Sequence, residues 1–304
     1  MTATAQSSNK RPITLIVPFA PGGGTDALAR DLAKPLAEKL GVPVIVDNRG
    51  GAGGSIAAQQ VAQAKADGHT LLFVTSTFVT SAATDRKLSY DVIKDFAPIA
   101  KVGSGPLLLV VNPQTGIQSV PALIDAAKRQ PDLLNYVSAG PGSINHLSGE
   151  LFAQRTGTRM THIPYKGSGP ATMDLIGGQA QVFFATVPTI LSQVKSGKVR
   201  LIATTAKVRS KLFAEVPTVI ESGIKGFEVG TWWGVVGPKD MPTEWVQTLN
   251  RAINESSASD TLVRRFEEEG AERFAGTSAD FGAALKQELE AWRKVVHDAG
   301  LKID

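Results

Sequence analysis

The sequence contains no cysteine. This absence excludes disulfide bonds, thiol catalysis and cysteine-ligated zinc or iron–sulfur sites. A cysteine-free chain suits an oxidising compartment without identifying one. The sequence also has no apolar run near the ~18 residues that are needed to span a bilayer, so we expect a soluble protein.

The signatures of catalysis are also missing. No Gly-x-Ser-x-Gly nucleophile motif and no Walker phosphate-binding motif occurs. The four histidines, at positions 69, 146, 162 and 297, lack the spacing of metal ligands. These absences predict a protein that is not an enzyme and that carries neither a metal nor a cofactor.

The net charge of +4 arises from lysines and arginines spread along the chain, without a basic block. We therefore expect no binding to nucleic acid. A length of 304 residues suits two domains. The first ten residues, MTATAQSSNK, are polar and lack the apolar centre of a signal peptide, so they are predicted to form a flexible leader.

The most informative stretch is PFAPGGGTD, residues 18–26. It follows an apolar run at residues 13–17 and precedes leucines that recur every four residues from Leu28 to Leu40. This pattern predicts a strand, a glycine-rich turn and a helix whose N-cap is Thr25. Because the first N–H groups of a helix are free and carry the positive end of its dipole, such a turn can bind a carboxylate or a phosphate.

Three further turns, at residues 48–55, 139–143 and 166–170, combine glycine with Ser, Thr or Asn. Glycines also make ordinary turns in every α/β protein, but the repetition favours ligand-binding loops. Two candidates keep a second interpretation. Lys166 is either a ligand contact or a surface lysine, and His146 either faces a ligand or bonds to the backbone at a helix start.

Strand-like and helix-like segments alternate along the chain, which predicts the α/β class with mostly parallel sheets. Residues 42–46 read as a buried strand, and residues 75–77 as a hydroxyl-rich loop. Residues 97–111 read as two apolar runs separated by glycine and proline at residues 103–106. In such proteins, ligands bind at the carboxyl ends of the strands.

Two segments near residues 103–106 and 228–236 read as crossings between two lobes, which suggests a hinge with a ligand cleft. The predicted lobe 1 is discontinuous. The predicted boundaries are 11–103 and 232–304 for lobe 1 and 104–231 for lobe 2.

A dinucleotide site is an alternative. Gly22, Gly24 and Ala27 fit a relaxed G-x-G-x-x-A pattern after a strand. Asp47 follows ~20 residues later, where a dinucleotide enzyme has its ribose-binding acid. An NAD(P)-dependent oxidoreductase therefore stays open as a second hypothesis.

Several motifs together resemble one family. The segments PFAPGGGTD, VDNRGGAGGS, DGHTLLF, YVSAGPGSINHLSGELF, IPYKGSGPA, EVPT and WWGVVGP are similar to those of the solute-binding proteins of tripartite tricarboxylate transporters, the Bug proteins. The resemblance implies a two-lobed Venus-flytrap fold in the periplasm. It also implies a small carboxylate ligand and delivery to a membrane permease. We then expect the signal peptide to be absent from this sequence.

The resemblance also implies ligand-binding residues, to which we add neighbouring positions and Phe78, whose ring could pack against a ligand. Gly50 departs from the family pattern, which has proline there. The candidate set is Phe19, Ala20, Gly24, Thr25, Asp26, Ser76, Phe78, Ser138, Ala139, Gly140, Ser143, His146, Lys166, Gly167, Ser168 and Thr186.

We therefore predict a periplasmic binding protein that closes over a small organic carboxylate. The few charges in the candidate loops favour an apolar, aromatic mono- or dicarboxylate over a tricarboxylate. A sensor that presents its closed form to a signalling partner shares the same cleft and is a third hypothesis. No dedicated pairing helix is evident, so we expect a monomer.

Overall fold

The computed structural model describes residues 11–84 and 87–301; the predicted leader and residues 302–304 of the predicted lobe 1 lie outside them. Within these ranges the chain forms ten β-strands and ten α-helices. The strands are β1 (Ile13–Val17), β2 (Val44–Asn48), β3 (Thr70–Thr75), β4 (Phe96–Val111), β5 (Asn135–Ser138), β6 (Thr161–Pro164), β7 (Val182–Thr186), β8 (Arg200–Thr204), β9 (Gly230–Pro238) and β10 (Glu272–Arg273). The helices are α1 (Gly24–Leu40), α2 (Ser55–Ala62), α3 (Thr77–Ala82), α4 (Val120–Arg129), α5 (Ile144–Thr156), α6 (Ser168–Ile176), α7 (Val187–Lys195), α8 (Thr243–Ser256), α9 (Asp260–Glu269) and α10 (Ser278–Asp298).

The strands are ordered β2-β1-β3-β9-β4-β7-β5-β6, and β8 and β10 also pair with β4. We call the part built on β1, β2 and β3 the first lobe, and the part built on β5 to β8 the second lobe. Parallel pairs join β1 to β2 and β3, and β5 to β6 and β7. The α/β, two-lobed class is confirmed. The sheets are mixed, because β4 and β9 run antiparallel to their neighbours.

The long strand β4 connects the lobes. Its first part pairs with β9, and its last residues pair with β7 and β8. The glycine and proline at residues 103–106 separate two apolar runs in the sequence, yet one strand continues through them. Gly103 pairs with Trp233 and Pro106 with Gly230, so the two predicted crossings lie side by side as an antiparallel pair.

Helices cover both faces of the second-lobe sheet. Leu107, Leu109 and Val111 of β4 lie in one buried core, and Leu108 and Val110 lie in another on the opposite face. This is the alternation that a strand with side chains on both sides produces. It explains why the apolar run of β4 is continuous.

Helix α1 has the predicted leucine stripe, with Leu28, Leu32 and Leu36 buried. Burial of each such side chain contributes about 1.5–3 kcal/mol. The helix ends at Gly41, which has a left-handed backbone (φ 66°). Pro35 lies inside the helix, as the sequence predicts.

Three local predictions are wrong. The N-cap of α1 is Gly23 and not Thr25, because the helix starts at Gly24, two residues earlier than a Thr25 cap implies. Strand β2 lies at the sheet edge and is only partly buried, since an apolar run does not reveal how many neighbours a strand has. The predicted loop at residues 75–77 is the direct junction of β3 and α3.

Helix α10 contacts both lobes. Phe281, Leu285 and Leu289 pack in a first-lobe core, whereas Trp292 and Val295 pack against a second-lobe core. The sequence places the whole segment in lobe 1, and its predicted boundaries do not anticipate this second contact. Among the described residues, every helix is too short or too polar to cross a bilayer.

Candidate functional site

Four glycine-rich loops meet where the lobes face each other: residues 18–24 and 50–54 of the first lobe, and residues 138–143 and 165–169 of the second. A Cβ added to Gly140 would lie 2.9 Å from the Gly53 nitrogen. One added to Gly169 would lie 2.9 Å from the Pro21 carbonyl oxygen. Such distances are too short for a side chain, so glycine permits backbone-to-backbone contact between the lobes.

Hydrogen bonds cross between the lobes at both ends of this contact. The donors are the N–H group of Ala20 in the first glycine-rich loop, N–H groups at the starts of α1 and α5, and hydroxyl groups of α3. The bonds run from Ala20 N to Lys166 O (2.9 Å), from Gly24 N to Thr189 Oγ1 (3.0 Å), from Ile144 N to Thr77 Oγ1 (3.3 Å), and from Thr80 Oγ1 (2.8 Å) and Ser81 Oγ (3.2 Å) to Gly142 O. The lobes are therefore closed on each other.

A small cavity lies within the first lobe, beside its two glycine-rich loops. Phe19 and Phe78, the two aromatic candidates, both line it, together with Gly53, Thr77 and Tyr90. Its volume of ≈ 10 Å³ is about the space that one water molecule requires. In the closed form this cavity is therefore too small for a carboxylate.

In the second lobe, two serine hydroxyls organise the loop at residues 138–143. Ser138 Oγ accepts a hydrogen bond from Gly140 N (3.1 Å) and lies 2.6 Å from His162 Nε2. Ser143 Oγ accepts from His146 N (3.3 Å) and caps α5. Both serines are fully buried. The hydroxyls therefore hold the loop in the shape that places it against the first lobe.

His146 is buried beneath this loop. Its Nδ1 accepts from Gly142 N (3.2 Å), and its ring stacks on His162 with centroids 3.6 Å apart. Its Nε2 lies 3.8 Å from a carboxylate oxygen of Glu150, which also accepts from the Tyr136 hydroxyl. Burial lowers the pKa of His162 to about 4. These contacts match the interpretation of His146 as a helix-start histidine that bonds to the backbone.

Asp26 is buried in the first turn of α1. One carboxylate oxygen receives bonds from Arg30 Nε and Asn48 Nδ2 (both 3.0 Å), and the other from Gly22 N (3.1 Å). Burial alone would raise the pKa of Asp26, but the bonds from Arg30, Gly22 and Asn48 outweigh it and hold the pKa below its usual value. The carboxylate thus stabilises the first glycine turn from within its own lobe.

The remaining candidates differ in position. Ser76 Oγ lies 2.9 Å from Thr231 Oγ1, and Thr186 Oγ1 lies 2.8 Å from Thr189 Oγ1; all four side chains are at least partly buried. The Lys166 side chain is exposed, and only its backbone oxygen joins the lobes, which fits the surface-lysine interpretation.

The structure brings one group of candidates into the contact between the lobes and leaves another inside a single lobe. The first group is Phe19, Ala20, Gly24, Gly140, Gly167 and the backbone of Lys166. Gly167 precedes α6, which starts at Ser168. The side chains of Asp26, Ser138, Ser143 and His146 form hydrogen bonds inside one lobe, and Phe78 packs in a first-lobe core. Thr25 is half-buried and Ala139 is buried.

The sequence interpretation missed several hydroxyl groups at the lobe contact. These are Thr77, Thr80, Ser81, Thr189 and Thr231. A signal existed for two of them, because Thr77 and Ser81 are four residues apart and share one face of α3. No local signal identifies Thr189, whose partner Gly24 is distant in the sequence.

Comparison with known proteins identifies the family. The sequence profile of the "Tripartite tricarboxylate transporter family receptor" matches residues 28–301. Protein BugT of Bordetella pertussis (strain Tohama I) is 38% identical over 302 residues, which cover 99% of this chain and 93% of BugT.

Solved structures agree. The periplasmic binding protein BugD superposes with a TM-score of 0.93 at 33% identity, covering 97% of this chain and 99% of BugD. Rpa4515 of R. palustris, solved with adipate, superposes with a TM-score of 0.92 at 36% identity, covering 97% of this chain and 98% of Rpa4515. The predicted resemblance is confirmed, and the chain belongs to the receptor family of the tripartite tricarboxylate transporters.

Proposed function

We propose that this protein is a periplasmic solute-binding receptor that captures a small organic carboxylate between its lobes and delivers it to the permease of a tripartite transporter. The main support is the convergence of glycine-rich loops and the N-termini of α1, α5 and α6 at one contact between the lobes. Helix N-termini favour anions through their free N–H groups and dipoles. The related BugD is a periplasmic binding protein, and Rpa4515 was solved with the dicarboxylate adipate.

We further propose that the candidate residues contact the ligand when the lobes separate and close again. Residues 11–103 and 232–304 would move as one lobe and residues 104–231 as the other. The antiparallel pair of β4 and β9 would bend as the hinge. The contact of α10 with both lobes supports a restrained motion about that hinge.

The proposed ligand is a mono- or dicarboxylate with an apolar, aromatic body. Phe19 and Phe78 offer two rings at the cavity, and the Lys166 side chain is exposed on the surface. The nearby carboxylate of Asp26 is already paired with Arg30. A tricarboxylate would require more free positive charge than these loops provide.

The test is a thermal-shift and calorimetric screen of the purified protein against benzoate, terephthalate, adipate and citrate, with NAD and NADP included. A ligand that binds only the folded state raises the melting temperature. We expect a shift with the aromatic acids or with adipate. Tighter binding of citrate would contradict the proposed ligand class, and a shift with the dinucleotides alone would contradict the receptor function.

The oxidoreductase alternative is less favoured than the receptor function, because Asp47, its candidate ribose-binding acid, already pairs with Arg49 (2.9 Å) at the edge strand β2. The dinucleotides in the screen test this alternative. A sensor function would use the same cleft and differ in its partner. We propose a monomer, which size-exclusion chromatography with light scattering would test.

A further inference from the structure

His162 lies directly beneath the second-lobe loop and has no role in the function proposed so far. It is on β6, paired in register with Tyr136 of β5, and its ring stacks on that of His146 and also contacts that of Tyr136. Its Nε2 is 2.6 Å from Ser138 Oγ. His146, in turn, accepts from Gly142 N. The two stacked imidazoles therefore hold both ends of the loop.

The contacts of the Ser138 hydroxyl indicate which tautomer of His162 lets all of them form as hydrogen bonds. A hydroxyl has one proton to donate and two lone pairs that accept. Ser138 Oγ has three partners: Gly140 N, which can only donate (3.1 Å), Gly140 O, which can only accept (3.2 Å), and His162 Nε2. If Ser138 gives its proton to Gly140 O, His162 must donate. All three bonds form together only when His162 carries its proton on Nε2.

We propose that His162 is a positioning residue that donates from Nε2 to Ser138 and so fixes the Ser138 hydroxyl as a hydrogen-bond donor. This inference rests on the proposed function, in which Ser138 contacts the ligand. With both lone pairs of Ser138 occupied, its proton is free to leave the long bond to Gly140 O for a ligand oxygen. A carboxylate oxygen accepts such a bond more strongly than the neutral carbonyl oxygen of an amide does, and the amide N–H finds no acceptor at Ser138.

The chemistry of His162 agrees with this arrangement. Because burial lowers its pKa to about 4, the ring is neutral at neutral pH and carries one proton. His162 would therefore select an anionic acceptor through a neutral hydrogen bond, without placing a positive charge near the ligand. The expected selectivity is for acids over the corresponding amides.

The first experiment is ¹⁵N NMR of the wild-type protein, which distinguishes the two imidazole tautomers and requires neither a ligand nor a variant. We expect the Nε2–H form for His162. The Nδ1–H form would overturn the inference, because Ser138 would then donate to the ring and have no proton left for a ligand.

The second experiment uses calorimetry to measure ligand binding to wild type, His162→Leu and His162→Gln. Each acid is compared with its own amide: adipate with adipamide, and benzoate with benzamide. Leu removes the donor, whereas the Gln side-chain amide can replace it. We expect His162→Leu to lose roughly 10- to 100-fold in acid affinity and most of the preference for acid over amide, and His162→Gln to recover both. The control is His297→Gln, on the exposed end of α10.

The outcomes separate two failures. Unchanged acid affinity and selectivity in His162→Leu would overturn the role of His162 while leaving the receptor function intact. If wild type bound neither acid, the proposed function would fail and the inference would fail with it; the tautomer measurement would still report whether the hydrogen-bond assignment was correct.

Discussion

Glu288 of α10 provides a test of how burial of a carboxyl group makes the stability of this fold depend on pH. Its carboxylate accepts a hydrogen bond from the Trp232 indole of β9 and faces a cavity of ≈ 710 Å³ beside the crossing strands. Burial raises the pKa of Glu288 to about 7, although the Trp232 bond and the charge of Lys101 act in the opposite direction. Glu272 lines the same cavity. The charged form of Glu288 is therefore unfavourable in the folded protein.

The magnitude and sign of the effect on the free energy of unfolding follow from the linkage between proton binding and folding. Between the ordinary value of 4.5 and about 7, the folded state binds the Glu288 proton more tightly than the unfolded state does. At ~1.36 kcal/mol per pH unit, this difference amounts to about 3 kcal/mol. The stabilisation is fully present below pH 4.5 and is lost as the pH rises through about 7.

The perturbation is Glu288→Gln, which keeps an oxygen acceptor for Trp232 but cannot ionise. Urea denaturation should show the variant about 1–3 kcal/mol more stable than wild type at pH 8 and nearly equal to it at pH 4.5. Glu290→Gln, at an exposed position of the same helix, is the matched control. A stability difference that does not change with pH, or a variant that is less stable at pH 8, would refute the reasoning.

Three further variants test the lobe contact. Gly140→Ala adds a Cβ at a backbone φ of +129° and 2.9 Å from a nitrogen of the opposite lobe, so small-angle scattering should show a more open protein. Asp26→Asn breaks the pair with Arg30 and should cost about 1–3 kcal/mol in urea denaturation at pH 7; this difference should disappear as the pH falls through the lowered pKa of Asp26, below 3.8. Thr189→Val removes the acceptor of Gly24 N and should weaken the closed form by about 0.5–1.5 kcal/mol, measured as a roughly 2- to 10-fold change in ligand affinity.

The helices could be predicted from the sequence where their signals are local. Helix α5 has such signals at both ends, because Ser143 caps its start and Gly157 adopts the left-handed backbone that ends it. The leucine stripe of α1 is also a local signal, since leucines four residues apart lie on one face of a helix and that face is buried. These signals involve residues within one or two turns of each other.

The parts that could not be predicted depend on distant partners. Glycine and proline at residues 103–106 normally interrupt a strand, yet pairing with β9 carries β4 through them. The roles of Thr189 and Thr77 exist only because the lobes meet. His162 reads as an isolated histidine in the sequence, and only the register of β5 and β6 places it beneath Ser138.

The glycine loops take part both in closure of the lobes and in the proposed binding of a ligand. The absence of Cβ atoms exposes N–H groups to an anion, and it also lets the two backbones touch when the lobes close. Contacts that stabilise the closed form change the fraction of molecules that are open and can admit a ligand. They therefore change the apparent affinity even though they do not contact the ligand. Thr189→Val should therefore change the affinity for every ligand by the same factor, whereas His162→Leu should change the ratio between an acid and its amide. Comparing the two variants separates closure from recognition.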